Sequence, residues 1–272
     1  MRRRLLPIPA LLWGLIPIGA ATAQGPVPTK KPLPELEQAV VAEDSLEAQV
    51  SKAIEAYNES YSAWTKKMRE AEADKRREVF SQRPTPIKTL EILKPLVKDQ
   101  AGTKAHWQVV AWALEKMAPD EAIKEFRTSL LEHYSDREEV GNTAWRMRGP
   151  EAKSYLQALA AKSKNHSVLA KAKFGLMEKL VEEMDADGAD LASLEREITK
   201  LAKELDSPDL GSVLLSSDVT VQSRAQATLF VVQNLSIGKV VPEIRSEDID
   251  GTTFALSDYR GKVVMLDFWG DW

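Results

Sequence analysis

Lys262-Val263-Val264-Met265-Leu266-Asp267-Phe268-Trp269-Gly270-Asp271-Trp272 is the stretch that decides how this chain is read. A continuous apolar run with paired β-branched residues feeds into Asp-Phe-Trp-x-x-Trp. Such a run, bounded by turn residues, predicts a buried strand over 262–268. Working back from it, Leu256-Ser257-Asp258-Tyr259-Arg260-Gly261 reads as a tight loop. Ile244 and Thr252-Thr253-Phe254 flank Asp250-Gly251, and that dipeptide predicts a hairpin closed by a type I′ turn. The change to this pattern comes at Ile237-Gly238.

Everything between about 35 and 235 keeps a helical period instead. Val50, Ile54, Tyr57, Tyr61, Trp64, Met68 and Ala71 recur in steps of four and three, which places them on one helical stripe. Asp44 and Glu47 form a capping-box-like start, and Arg83-Pro84-Thr85-Pro86 ends the segment. Tyr and Trp along the seam favour a core-facing bundle helix over a coiled coil. Further helices are expected over 87–98, bent or split at Pro95, and over 104–117. Others follow from Pro119 to about 134, from Gly149-Pro150 onward, and from Asn165 or Ser167 to about 184. Asp190 opens one that Ser207-Pro208 breaks, and the last spans 220–235. Paired helices with short connections suggest a helical bundle or an irregular helical-repeat module, although no strict period is visible. Trp64, Trp107, Trp112 and Trp145 are read as core rather than as a ligand stack. A protein partner of this helical domain is one role it could serve.

The first residues read as an export signal. Arg2-Arg3-Arg4 precede an apolar stretch from Leu5 to Ala20, and Ala21-Thr22-Ala23 offers a small-residue site with cleavage between Ala23 and Gln24. Pro7, Pro9 and Pro17 argue against a membrane anchor, so no stable insertion is expected after cleavage. A chain left uncleaved would stay tethered. Residues 24–34, with Pro26, Pro28, Pro32 and Pro34, form an extended linker. The expected location is the periplasm or cell envelope. The domain order is then 1–23 signal, 24–34 linker, 35–235 helical domain and 236–272 a β-containing segment.

The 272 residues carry a net charge of −4, which gives no electrostatic footprint for nucleic acid. Cys is absent, which excludes disulfides and thiolate metal sites within the chain. His106, His133 and His166 show no metal-ligand spacing. Asp185-Ala186-Asp187-Gly188-Ala189-Asp190 resembles a calcium loop at first sight. Its Gly and its missing Glu are out of place, so a turn with an N-cap is the better reading and no metal is expected.

The segment 236–272 resembles the redoxin group of thioredoxin-like proteins, the TlpA-like thiol–disulfide oxidoreductases and their AhpC/TSA relatives. The residues that carry the likeness are Gly238, Pro242, Asp250-Gly251, Phe254, Leu256 to Lys262, and Asp267-Phe268-Trp269-x-x-Trp272. The Trp-x-x-Trp ending favours the TlpA-like branch. The resemblance implies a mainly α protein followed by the first β-strands of a thioredoxin-like α/β domain, with protein thiols and disulfides as partners and no cofactor. It also implies a Cys-x-x-Cys directly after Trp272, so the chain is expected to be a fragment that is inactive as it stands. Asp267 would be the buried proton acceptor of the dithiol, with Trp269 and Trp272 flanking it. The alternative is an exported, non-enzymatic helical binding or scaffold protein with a vestigial thioredoxin-like tail.

Overall fold

The first helix begins at Ser45, whose hydroxyl accepts the Ala48 amide at 3.3 Å, one of the donors a helix leaves unmet at its start. In the computed structural model, which describes residues 45–267, helix α1 then runs Leu46–Glu70. Asp44, expected as the cap, lies outside the described residues, and so do the signal stretch with Ala23 and Gln24 and the linker 24–34. The stripe from Val50 to Met68 turns inward, with Val50 and Tyr57 buried. It packs on α3 (Pro86–Val97) and α4 (Lys104–Lys116), as a core-facing helix does.

The expectation that α1 would continue to Arg83 fails at Ala71, which is extended (φ −70°, ψ 131°). A short helix α2 (Arg76–Ser81) folds back. The corner is held by the Trp64 indole N–H, which donates to the Val79 carbonyl at 2.8 Å, and by the Arg83 guanidinium over the Tyr61 and Trp64 rings at 5.7 and 5.6 Å. These tertiary contacts outweigh a strong local helical pattern. Pro95 does not split α3, since the helix runs through it to Val97.

The remaining helices follow as α5 (Pro119–His133), α6 (Glu138–Ala144), α7 (Ala152–Lys162), α8 (His166–Glu183), α9 (Leu191–Leu205), α10 (Pro208–Gly211) and α11 (Val221–Asn234). The expected caps are in place. Asn165 Oδ1 accepts the Ser167 amide at 2.8 Å, and Asp190 Oδ1 accepts Ser193 at 3.0 Å. The acidic run 185–190 is thus a turn followed by an N-cap, with Gly188 at φ +79°. Thr103 and Thr220 cap α4 and α11 in the same way. The architecture is mainly α with one small antiparallel sheet near the carboxy-terminal end of the described residues.

Helix α8 touches α6, α7, α9, α10 and α11. Its Val168 and Ala172 belong to a core shared with α1 and α3–α7, while Ala170, Phe174, Met177 and Leu180 belong to a second core with α9–α11. Close approach on the first side depends on two glycines. A Cβ on Gly141 would lie 3.0 Å from Val168 Cα, and one on Gly175 only 2.8 Å from Trp145 Cα.

Two aspartates tie loops of the helical part to distant segments. The Asp120 carboxylate accepts the Arg148 and Gly149 amides at 3.0 and 2.8 Å. Asp136 Oδ1 accepts the Ser163 hydroxyl and the Lys164 and Asn165 amides at 3.0, 2.6 and 3.2 Å. These donors, the Lys164 amide first, hold the Asp136 carboxyl below its ordinary value of 3.8.

Two outcomes are expected. In Gly175→Ala, propensity alone would favour Ala by about 1 kcal/mol. The clash is with backbone, however, and overpacking of this kind costs about 1–3 kcal/mol. The urea midpoint should therefore fall, and an unchanged or raised midpoint contradicts the close approach. For Asp136, a depressed folded pKa means that its contribution is complete above pH 3.8 and is lost as pH falls below that value. Asp136→Ala should be less stable than the parent at pH 7 and should lose less on acidification, as urea titrations at pH 7 and pH 3 would show.

Candidate functional site

Strands β1 (Arg245–Glu247) and β2 (Thr253–Ala255) pair antiparallel, with Ser246 opposite Phe254. The hairpin is present, but its turn is not type I′. Among the described residues only glycines have positive φ, so Asp250 does not adopt the conformation that turn demands. The loop spans 248–252 and is organised by Asp248, whose carboxylate accepts the Asp250 and Thr252 amides at 2.9 and 2.8 Å. Gly251, at φ +78°, reverses the chain. After β2, a 3₁₀ turn covers Leu256–Tyr259, where a tight loop was expected. Glu243 Oε1 accepts the Ser257 amide at 3.0 Å, and the Leu256 amide donates to the Ile244 carbonyl at 2.8 Å. The Ser257 contacts hold the Glu243 carboxyl below its usual value.

Residues 263–267 do not form the buried strand expected over 262–268. They are exposed and belong to neither strand. A strand that is apolar throughout needs a neighbour on its edges and cover on its faces. Among the described residues nothing supplies either. Asp267 is exposed. Phe268, Trp269 and Trp272 lie outside the described residues, so the three predicted site residues are not seen together.

In the helical part, the tryptophans are divided among separate packing tasks. Trp112 is buried edge-on to Tyr57, with centroids 5.2 Å apart, and Trp145 packs on Phe174 at 5.9 Å. Trp107 lies against Tyr134 at 4.8 Å, under the Arg137 guanidinium at 4.9 Å. Gln108 Oε1 and Trp112 Nε1 are wholly buried without partners. They are an acceptor and a donor four residues apart on α4, complementary to each other.

One polar arrangement escaped the sequence reading. His106, in the first turn of α4, is 7% exposed, and its Nδ1 lies 2.9 Å from the Tyr134 hydroxyl. The two rings stack, and the Phe126 ring meets His106 edge-on at 6.0 Å. Burial first, and then the nearby His133, hold His106 below its ordinary value of 6.5. His106 and His133 both line an open groove of about 840 Å³ between the end of α3, the turn before α4 and the middle of α5. Helix α5 breaks its helical geometry beside it, at Phe126 (φ −114°, ψ 17°). Read alone, His106 was expected to be a surface or a satisfied core position; its pairing with Tyr134 across 28 positions has no local signature.

No group of three or more His, Cys, Asp or Glu side chains suited to a metal ion occurs among the described residues, and no described helix is long and apolar enough to cross a membrane. No family profile matches the chain, and no solved structure matches it significantly. Two curated proteins are similar over a short stretch. The thiol-disulfide oxidoreductase ResA of Geobacillus thermodenitrificans is 42% identical over 38 residues, which is 14% of this chain and 22% of that protein. The thiol-disulfide oxidoreductase ResA of Geobacillus kaustophilus is 45% identical over 38 residues, with the same coverage. The chain therefore spans about a fifth of the length of the relatives it matches, and the likeness is to part of a thiol–disulfide oxidoreductase.

Proposed function

We propose that residues 236–272 are the opening of a TlpA-like thiol–disulfide oxidoreductase module carried on an exported helical domain, with protein thiols and disulfides as its partners. The observation that supports this reading is the 38-residue similarity to two thiol-disulfide oxidoreductases. The order along the chain of the hairpin, the Gly261 turn and the apolar run into Asp267 also supports it. In this reading Asp267 serves as proton acceptor for a thiol, and Trp269 and Trp272 shape the surface beside it. The 272 residues contain no Cys, so they supply no thiolate to attack a disulfide. Proton transfer by Asp267 has no sulfur to act on within the chain. The charged amino-terminal stretch with its Ala-x-Ala site supports export, and the periplasm or cell envelope is the proposed location.

The absence of Cys favours a second reading, in which the helical domain is a binding or scaffold unit and the thioredoxin-like segment does no redox work.

The 272-residue protein should reduce insulin disulfides no faster than a buffer control with dithiothreitol, and measurable turnover would overturn the argument from composition. The two readings part on the coding sequence read beyond codon 272. A Cys-x-x-Cys frame entering a helix supports the oxidoreductase, and an immediate stop codon with no such frame downstream supports the scaffold.

A further inference from the structure

We propose that the turn 99–103 is an acid-sensitive latch: His106 and Tyr134 hold it against the end of α5 at neutral pH, and a charge on His106 releases it. Tyr134 is the residue that ends α5. Its hydroxyl accepts the Gly102 amide at 3.1 Å, and it lies 3.4 Å from the Thr103 carbonyl and 2.9 Å from His106 Nδ1. The turn and the first turn of α4 thus meet at one oxygen. The other hydrogen bonds of the turn are local. The Gln100 amide donates to the Val97 carbonyl, the Thr103 amide to the Gln100 carbonyl, and Thr103 caps α4. Residues 99–104 are exposed, so little packing holds them apart from this tie.

The tie is made by a buried ring with no counter-charge. The Tyr134 hydroxyl can donate to the imidazole or accept from it, whichever nitrogen carries the proton, but it is neutral. Among the described residues no carboxylate forms an ion pair with His106. The charged groups on the surrounding elements do not favour an imidazolium. Lys94 of α3 is paired with Glu125 of α5, and Arg127 of α5 with Glu151. Glu91 and Lys98 on α3, and Lys124 and Glu132 on α5, line the same groove with opposite signs. Lys104 opens α4, and Arg137 lies over the Trp107 ring. The group that acts on His106 is His133. The two imidazoles flank the Tyr134 ring, with centroids 5.6 and 6.1 Å from it. His133 also lies against the turn, where a Cβ on Gly102 would come 3.3 Å from its Nδ1. A charge on His106 is thus opposed first by burial and then by its neighbour.

The direction of the pH effect follows. With the latch open, the imidazole reaches water and titrates near its ordinary value of 6.5; with the latch closed, it titrates lower. The closed form is favoured most above pH 6.5. It loses ground as pH falls below that value, with one proton taken up per opening, until the enclosed ring charges as well. The groove that His106 lines gives the charged ring its way to water, and Ala101 of the turn forms part of the same wall. Opening is therefore local. The second core, on α8–α11, contains none of these residues. A histidine without a counter-charge thus couples proton concentration to the shape of the groove between α3 and α5.

The test is amide hydrogen exchange of the full 272-residue protein between pH 7.5 and pH 5.0, corrected for the intrinsic pH dependence of exchange. Opening at the amides of 102–107 should rise severalfold at pH 5.0, with a slope of one proton just below pH 6.5. Amides of α9 should keep their protection. In His106→Gln the rise over 102–107 should vanish. His133→Gln changes an exposed side chain and serves if the first variant does not fold; there the rise should be smaller than in the parent. Four results each overturn the proposal. They are equal opening of 102–107 at the two pH values in the parent, a full rise that persists in His106→Gln, a rise undiminished in His133→Gln, and a rise spread evenly over both cores, which is global destabilisation and no latch.

Discussion

The closeness of α8 to its neighbours is the constraint on which the rest depends. Five helices rest on it, and both hydrophobic cores include its side chains. A helix that serves two cores must be apolar on more than one side, and α8 is buried at Val168, Ala170, Ala172, Phe174, Met177 and Leu180. Bulk on every face would hold the neighbours off. Gly175 and Gly141 remove it at the tightest points, where Trp145 and Val168 backbone atoms take the space of a side chain. The one charged group drawn into this packing, Lys171, is satisfied by Asn142 Oδ1 at 2.7 Å and Ser167 Oγ at 3.0 Å. Burial lowers its pKa, partly opposed by Glu138. Neutral hydrogen-bond partners thus tie α6 to α8 where a full ion pair would have to be desolvated.

Around that spine the links fall at a steady interval. Asp120 reaches residues 28 and 29 ahead, Asp136 reaches 27 to 29 ahead, and the ion pairs Lys153–Glu183 and Lys173–Glu204 span 30 and 31. Exposed ion pairs contribute only about 0–1 kcal/mol each. The aspartates differ, because each satisfies backbone donors of a loop that would otherwise be free to move. They fix the loops before α7 and α8 against the start of α5 and the turn that follows it. The groove beside His106 lies between α3 and α5, which the Lys94–Glu125 ion pair joins.

The helices were legible wherever a cap or a proline marks a boundary locally. Thr103, Asn165, Asp190 and Thr220 each accept an amide of the first turn, and Pro119 opens α5. What the sequence hid was decided at a distance. The end of α1 at Ala71 is set by Trp64 and Arg83 closing on α2, and α6 is a seven-residue helix too short to show a period. The kink at Phe126 has no Pro or Gly beside it to announce it. The Asp250-Gly251 signal located a hairpin correctly but misread its turn, because Asp248, two residues earlier, captures the loop amides. For the candidate site, the sequence pointed to residues around Asp267. The His106–Tyr134 pair, assembled across α4 and α5, could be found only in three dimensions.

The carboxy-terminal segment obeys different physics from the helical body. Its hydrogen bonds are short-range, running within 231–262, and the ion pair from Lys239 to Glu195, at 2.8 Å, reaches back to α9. Ala255 is its one buried hydrophobic residue, while Ile249, Val263 and Met265 are fully exposed. A two-stranded hairpin with so little buried apolar area draws almost nothing from the hydrophobic effect, and isolated hairpins of this size are marginal in water. Helix α11, just before it, shows the same imbalance. Val221, Ala225 and Val232 face the second core, yet Phe230, Val231 and Leu235 remain exposed on its other side. Local opening of 236–267 therefore leaves both cores untouched, and its free energy is separable from that of the helices packed on α8.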